Sequence, residues 1–162
     1  MILNYYACFE ACTQQTNYIA YIVNTDPAGE LGQHWLGLWT EQNKCEIFDS
    51  YGLPQHVYKD PDLHQWWSQW KYPTRRDITL QAMDSQTCGH YVLFLLKARA
   101  QGQTYQDFLG RWSIDNLVLN DRKVAEDLKR VITREIQDEV DARPDGQSNV
   151  SRQAFILCNH CS

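Results

Sequence analysis

Four residues of the kinds that acyl-transfer chemistry requires occur in one order along this chain: His34, Asp49, Gln81 and Cys88. Cys88 marks a junction. The polar run Met83-Asp84-Ser85-Gln86-Thr87 ends there, and after Gly89-His90 the apolar run Tyr91-Val92-Leu93-Phe94-Leu95-Leu96 begins. That pattern reads as the first turn of a buried helix. A helix N-terminus carries roughly half a positive charge and a set of unpaired N–H groups, both of which favour an anion. A thiol placed there can have its pKa lowered from ~8.5 to roughly 3.5–7.5, most of all beside an imidazolium. Gly89 follows directly and lets a substrate backbone come close. A helix that merely starts with an inert, packed cysteine would read the same way, so a nucleophile must be argued from its base and the group that orients that base.

His34 precedes Trp35-Leu36-Gly37-Leu38-Trp39, and Asp49 closes Cys45-Glu46-Ile47-Phe48. The polar turn Glu41-Gln42-Asn43 makes these two runs an antiparallel hairpin whose far ends, positions 34 and 49, come out across from each other. A carboxylate beside an imidazole fixes the ring's tautomer and stabilises its charged form. An oxyanion formed by attack of Cys88 needs donors, one of which is the Cys88 N–H. Gln81 and Gln86 compete for the second position, and spacing alone does not choose between them.

The remaining elements follow from periodicity and turn chemistry. Residues 18–24 are β-branched and aromatic and end in Thr25-Asp26-Pro27-Ala28-Gly29, a strand followed by a loop. Asp60-Pro61 opens a short helix through Lys71, with Asp60 as cap and proline at the first helical position. Residues 77–80 read as a strand. Helices are expected from Cys88 to Ala100, stopping at Gly102, then from Thr104 to Trp112, then from Asp121 to about Val140 with Val124, Leu128, Val131, Ile132 and Ile136 on one face. Strands gather in the first half and helices in the second, which reads as α+β. The expected organisation is one domain over residues 1–146 and a C-terminal tail over 147–162.

Composition narrows the function classes. The chain has 162 residues, 43% hydrophobic and 22% charged, an ordinary globular balance with a sizeable core. Its net charge of −5 and its lack of a Lys/Arg block argue against nucleic acid as a partner. No apolar run approaches the ~20 residues of a membrane span, and no charged segment followed by an apolar one opens the chain, so it reads as soluble and unsecreted. In such a chain the six cysteines read as reduced thiols, not as a disulfide framework. Cys8 and Cys12 with Cys158, His160 and Cys161 have spacings that zinc accepts, yet nothing joins the two ends in sequence; no metal and no cofactor are expected. Cys45 reads as buried filler, Trp66, Trp67 and Trp70 as packing, and His56, His64 and His90 as residues without a partner pattern.

At the chemistry-bearing residues the chain resembles the adenovirus-type maturation proteases, including those of Polinton-type mobile elements, within the clan of ubiquitin-like-protein-specific cysteine proteases. The resemblance runs in order through Ile22-Val23-Asn24-Thr25, Gly32-x-His34-Trp35-Leu36, Lys44-Cys45-x-x-Phe48-Asp49-x-x-Gly52, Asp77-Ile78-Thr79-Leu80-Gln81 and Cys88-Gly89, covering about residues 18–100. It implies a papain-like architecture with a central mixed sheet and the nucleophile at the start of a buried helix. It implies Cys88 as nucleophile, His34 as general base and Asp49 as the acidic member, at a position where the family carries glutamate. It selects Gln81 over Gln86 for the oxyanion hole and places Trp35 and Gly89 along the substrate groove. The implied activity is cleavage after glycine in extended Gly-Gly or Gly-x motifs of viral or mobile-element precursor proteins. Alternatives are removal of ubiquitin-like proteins, or a catalytically dead module that binds Gly-Gly tails. The implied setting is the cytoplasm or nucleus of a host cell, or the virion. The family's activating peptide is joined through a disulfide, and the corresponding position here is about Asp77, so the peptide carries over without its disulfide. The family's stimulation by DNA is not carried over to this acidic chain.

Overall fold

In the computed structural model the described residues are 5–12, 17–26, 34–70, 72–75 and 78–141. The architecture is α+β. Strands β1 (Tyr5–Cys12), β2 (Asn17–Asn24), β3 (Trp35–Glu41), β4 (Lys44–Phe48) and β5 (Tyr72–Arg75) form one sheet in the order β1-β2-β3-β4-β5. The first four are antiparallel in sequence, and β5 joins β4 in parallel. Helix α1 (Pro61–Trp67) lies in the crossover between them. Helices α2 (Cys88–Ala100), α3 (Tyr105–Leu109) and α4 (Leu117–Asp141) follow. Two compact units divide the chain, residues 1–125 and 126–162. The expected domain 1–146 therefore holds the first unit and part of the second, and the expected tail 147–162 lies outside the described residues. In the second unit, the described residues 126–141 form a helical stretch, with an exposed Arg130–Asp127 pair at 2.5 Å.

β3 is buried on both faces, which explains its apolar run with little alternation. One face presents Trp39 and, from neighbouring strands, Ala20, Ile22 and Phe48 to α2, whose Tyr91, Val92, Leu95 and Leu96 complete that core. The other face presents Leu36, Leu38, Val23, Cys45 and Ile47 to Leu63, Trp66 and Trp67 of α1. Gly37 permits the close approach of α2: a Cβ there would stand 3.2 Å from Val92 Cγ1. Trp66 and Trp67 are core residues, as their expected packing role requires.

The helix ends obey their capping chemistry. Asp60 Oδ1 accepts from the N–H groups of Asp62 and Leu63, with Pro61 at the first position. Thr104 and Asp107 form a reciprocal capping box at α3. Gly102, at φ +79, ends α2, with its own N–H on Arg99 O and that of Gln103 on Ala98 O.

Four expectations need correction. The last strand lies at 72–75; of the strand expected at 77–80, Asp77 lies outside the described residues and 78–80 have no regular structure, running instead beside the β4 exit loop, where Leu80 N–H donates to Ser50 O at 2.8 Å. Pro73 obscured β5 because proline reads as a strand breaker, yet β5 is an edge strand, where its missing N–H is tolerated. α1 ends at Trp67 instead of Lys71 because the chain must turn into β5; α3 ends at Leu109 instead of Trp112, where Gly110 takes the cap position; and α4 starts at Leu117, one turn before Asp121. β1, which shows no clear period in sequence, pairs with β2 along its length.

Candidate active site

His34 stands just before β3, with its carbonyl accepting from Thr25 N–H at 2.9 Å beyond the end of β2. The β3–β4 ladder pairs Gly37 with Phe48. Continued outward, that register sets Tyr51 against His34, and Asp49 against Leu36. The His34–Asp49 contact is thus diagonal and not directly across the hairpin, a separation that long side chains still bridge. His34 Nε2 meets Asp49 Oδ1 at 2.7 Å, both residues being buried.

Asp49 is only 1% exposed, so its charge needs donors. Oδ1 also accepts from Tyr51 N–H at 2.9 Å, and Oδ2 accepts from Leu53 N–H at 2.9 Å and from the Tyr58 hydroxyl. Burial opposes ionisation of this carboxyl, but the hydrogen bond and charge of His34, with the Tyr58 and Tyr51 donors, hold its pKa below the ordinary carboxylate value. Burial likewise opposes the charge on His34. The hydrogen bonds to Asp49 and Cys88 and the field of both outweigh it and raise the imidazole to about 9. Nδ1, the nitrogen Asp49 does not use, is buried and makes no hydrogen bond, while the Cys88 side chain lies near enough to help raise the imidazole. Two phenols pack near the ring, Tyr51 at 4.7 Å and Tyr58 at 6.2 Å between centroids.

Cys88 is the first residue of α2 and is buried. Thr87, the cap position, does not turn its side chain onto the helix; its hydroxyl donates to Asp121 Oδ1 at 2.8 Å. The first-turn N–H groups consequently have no side-chain cap, which keeps the anion-favouring end of the helix open at the thiol. Trp35 lies alongside: a Cβ on Gly89 would stand 3.7 Å from its indole, in ordinary contact with the ring, so glycine at 89 keeps the helix start bare on the side that faces Trp35.

Gln81 is completely buried. Its Oε1 accepts from Ser50 Oγ at 2.6 Å, and its Nε2 lies 2.9 Å from Ser85 O, 3.1 Å from Ser85 Oγ and 3.2 Å from Tyr51 Oη. Its backbone N–H donates to Ser50 O at 3.0 Å. The 49–53 loop therefore carries both the carboxylate that orients His34 and the anchor for the Gln81 segment. Gly52 allows that junction: it sits at φ +65, and a Cβ would come within 3.0 Å of the Ile78 and Thr79 backbone.

Several residues that hold this site carried no motif. Asp121 accepts from Thr87, from the Tyr91 hydroxyl at 3.0 Å and from Ala82 N–H at 3.0 Å, and Asn120 Nδ2 donates to Leu80 O at 3.1 Å. The start of α4 thus fixes both ends of the Gln81–Thr87 loop. A signal was present: Asn120 and Asp121 occupy the same helix face as the buried Val124, and buried polar residues on an apolar stripe need partners. Tyr58 was equally silent in the sequence.

Gln86 takes no part in the Gln81 network. His64 caps Tyr58 O at 2.5 Å, and Cys45 is a buried free thiol, as is Cys88. Among the described residues no group of three or more His, Cys, Asp or Glu side chains is placed to hold a metal ion, and no helix is long and apolar enough to cross a membrane. The side chains of Cys8 and Cys12 and all of residues 158–161 lie outside the described set. Comparisons with protein-family models, curated proteins and solved structures return no match.

Proposed function

We propose that the chain is a cysteine endopeptidase with Cys88, His34 and Asp49 as its triad. The observation that carries this reading is the polarised His34 ring: Nε2 on a buried carboxylate that accepts four hydrogen bonds, Nδ1 buried and uncommitted, and the imidazole raised in part by Cys88 at the uncapped start of α2. Such a ring takes the thiol proton at Nδ1. The sulfur then adds to a peptide carbonyl carbon, an S–C bond forms, and the carbonyl π pair moves onto oxygen. His34 returns its proton to the amide nitrogen as the C–N bond breaks, and water releases the acyl group by the reverse sequence. No cofactor is required.

The preference for glycine and the adenovirus-type affiliation come from the motif resemblance, with the bare Gly89 beside Trp35 supporting a narrow groove. The papain-like class is supported by a nucleophile helix packed on the strands that carry the base and its carboxylate. Viral or mobile-element precursors are the proposed substrates, inside a host cell or virion.

A quenched peptide series carrying Leu-x-Gly-Gly and Leu-x-Gly-x, assayed under reducing conditions, tests the reading. Turnover by the wild-type chain that disappears in Cys88→Ala is the expected result. A silent wild type whose Cys88 alkylates no faster than Cys45 would overturn it.

A further inference from the structure

The donor expected for the oxyanion is buried and occupied. Gln81 has no exposed surface, and its two amide hydrogens are distributed over Ser85 and Tyr51. Between it and the His34–Cys88 pair lies Tyr51, a partly buried residue. The Tyr51 backbone N–H donates to Asp49, its ring packs on His34, and its hydroxyl donates to Ser85 O at 2.7 Å while accepting from Gln81 Nε2 at 3.2 Å. We infer that the Tyr51 hydroxyl donates the side-chain hydrogen bond to the oxyanion, and that Gln81 acts behind it as a positioning residue. This rests on the cysteine-peptidase reading of the site.

The hydrogen-bond count makes the rotation inexpensive. Ser85 O has two donors, the Tyr51 hydroxyl and Gln81 Nε2. When the Tyr51 hydrogen swings about its C–O bond to the developing oxyanion, Ser85 O keeps the Gln81 hydrogen and no buried acceptor is orphaned. Gln81 also donates to the phenol oxygen, and a hydroxyl that accepts one hydrogen bond donates another more strongly. The Cys88 charge is felt at the phenol, which burial and that charge together push above the ordinary tyrosine value. The phenol therefore stays protonated and available as a donor. No proton is transferred: sulfur adds to carbon, the π pair goes to oxygen, and the O–H of Tyr51 bonds to that oxygen.

The test uses a peptide aldehyde ending in glycinal and, separately, iodoacetamide. The aldehyde forms a hemithioacetal whose oxygen occupies the oxyanion position, whereas iodoacetamide needs only the nucleophile and its base. Wild type is expected to bind the aldehyde far more tightly than Cys88→Ala. Tyr51→Phe keeps the ring on His34 and should weaken the aldehyde about 100-fold, the scale of one lost oxyanion donor, with the Cys88 alkylation rate and its pH profile unchanged. Equal binding by wild type and Cys88→Ala sinks the peptidase reading and this inference together. A wild type that depends on Cys88 but a Tyr51→Phe variant that binds as well overturns the inference alone. Parallel losses in aldehyde affinity and alkylation also overturn it, since the phenol would then be supporting the His34–Cys88 pair.

Discussion

Cys45 and Cys88 are both buried free thiols, 0% and 5% exposed, and they stand in opposite chemical situations. Cys45 sits in mid-strand between Val23, Leu36, Leu38 and Ile47, its sulfur 3.9 Å from Glu46 O. Burial, with the nearby Glu46 charge, pushes it up to about 12. Cys88 is buried at a helix start, against an imidazole that a carboxylate holds in place. Burial by itself silences a thiol. A proton acceptor within reach and an open helix end are what distinguish the second site from the first.

The largest effect should appear in alkylation. At pH 7 a thiol with a pKa of about 12 is ionised in on the order of one molecule in 10^5. Iodoacetamide followed by peptide mass spectrometry should modify Cys88 at least ~10^3 times faster than Cys45, and His34→Ala should remove most of the difference. Equal rates in the folded protein would break the contrast between the two thiols.

Next in size is Asp49→Asn. It keeps the shape of the contact but removes the charge that opposes desolvation of His34. The imidazole should titrate well below the wild-type value of about 9, since burial would remain as the dominant influence. Peptide turnover should fall about 10^3- to 10^4-fold, the scale seen when the orienting carboxylate of a triad loses its charge. NMR titration of His34 and kcat measured on one sample check both halves. A variant with normal kcat would show that Asp49 is only a structural anchor for its loop.

How much of this was readable in advance depends on where the signal resided. Strands β2, β3 and β4 and helix α2 announced themselves because their apolar runs and turns are local. The residue types His34, Asp49, Gln81 and Cys88 were visible too, and the diagonal approach of His34 to Asp49 was not, since it depends on a register that only the ladder sets. β5 was hidden by Pro73. The parts that hold the loop, Tyr58 and the Asn120–Asp121 pair, lay far away in sequence with no motif, and their meaning arises only from what tertiary packing brings to them. Tyr51 sits in the turn after β4, and nothing local in the sequence shows that its ring packs on His34.

The pH dependence of stability separates the two thiol environments without any substrate. His34 is raised from 6.5 to about 9 in the folded chain, so its contribution is complete below pH 6.5 and is lost as pH rises through about 9, on the order of 3 kcal/mol. Asp49 is lowered, so its contribution is present above 3.8 and lost as pH falls below that value. Cys45 is raised from 9.0 to about 12, so it favours the folded state below pH 9.0 and loses that effect between there and about 12, joined by the Tyr91 phenol, which burial also pushes up. Thermal melts should therefore decline in two alkaline stages. His34→Ala should flatten the first and spare the second.

The smallest effect expected is that of Cys45→Ala. It removes one sulfur from a site with no exposed surface, and the loss of so small a group, with the gap it leaves, should cost about 1 kcal/mol. Peptide turnover and the alkylation rate of Cys88 should be unchanged, and the part of the upper alkaline stage that belongs to Cys45 should vanish. Denaturant unfolding with a parallel kinetic assay reads both. A loss of activity at constant stability would mean that the core on the α1 face of the sheet tunes the site through Leu36 and Asp49. In that case the two thiols would not be independent, and the contrast drawn between them would have to be replaced by a coupling.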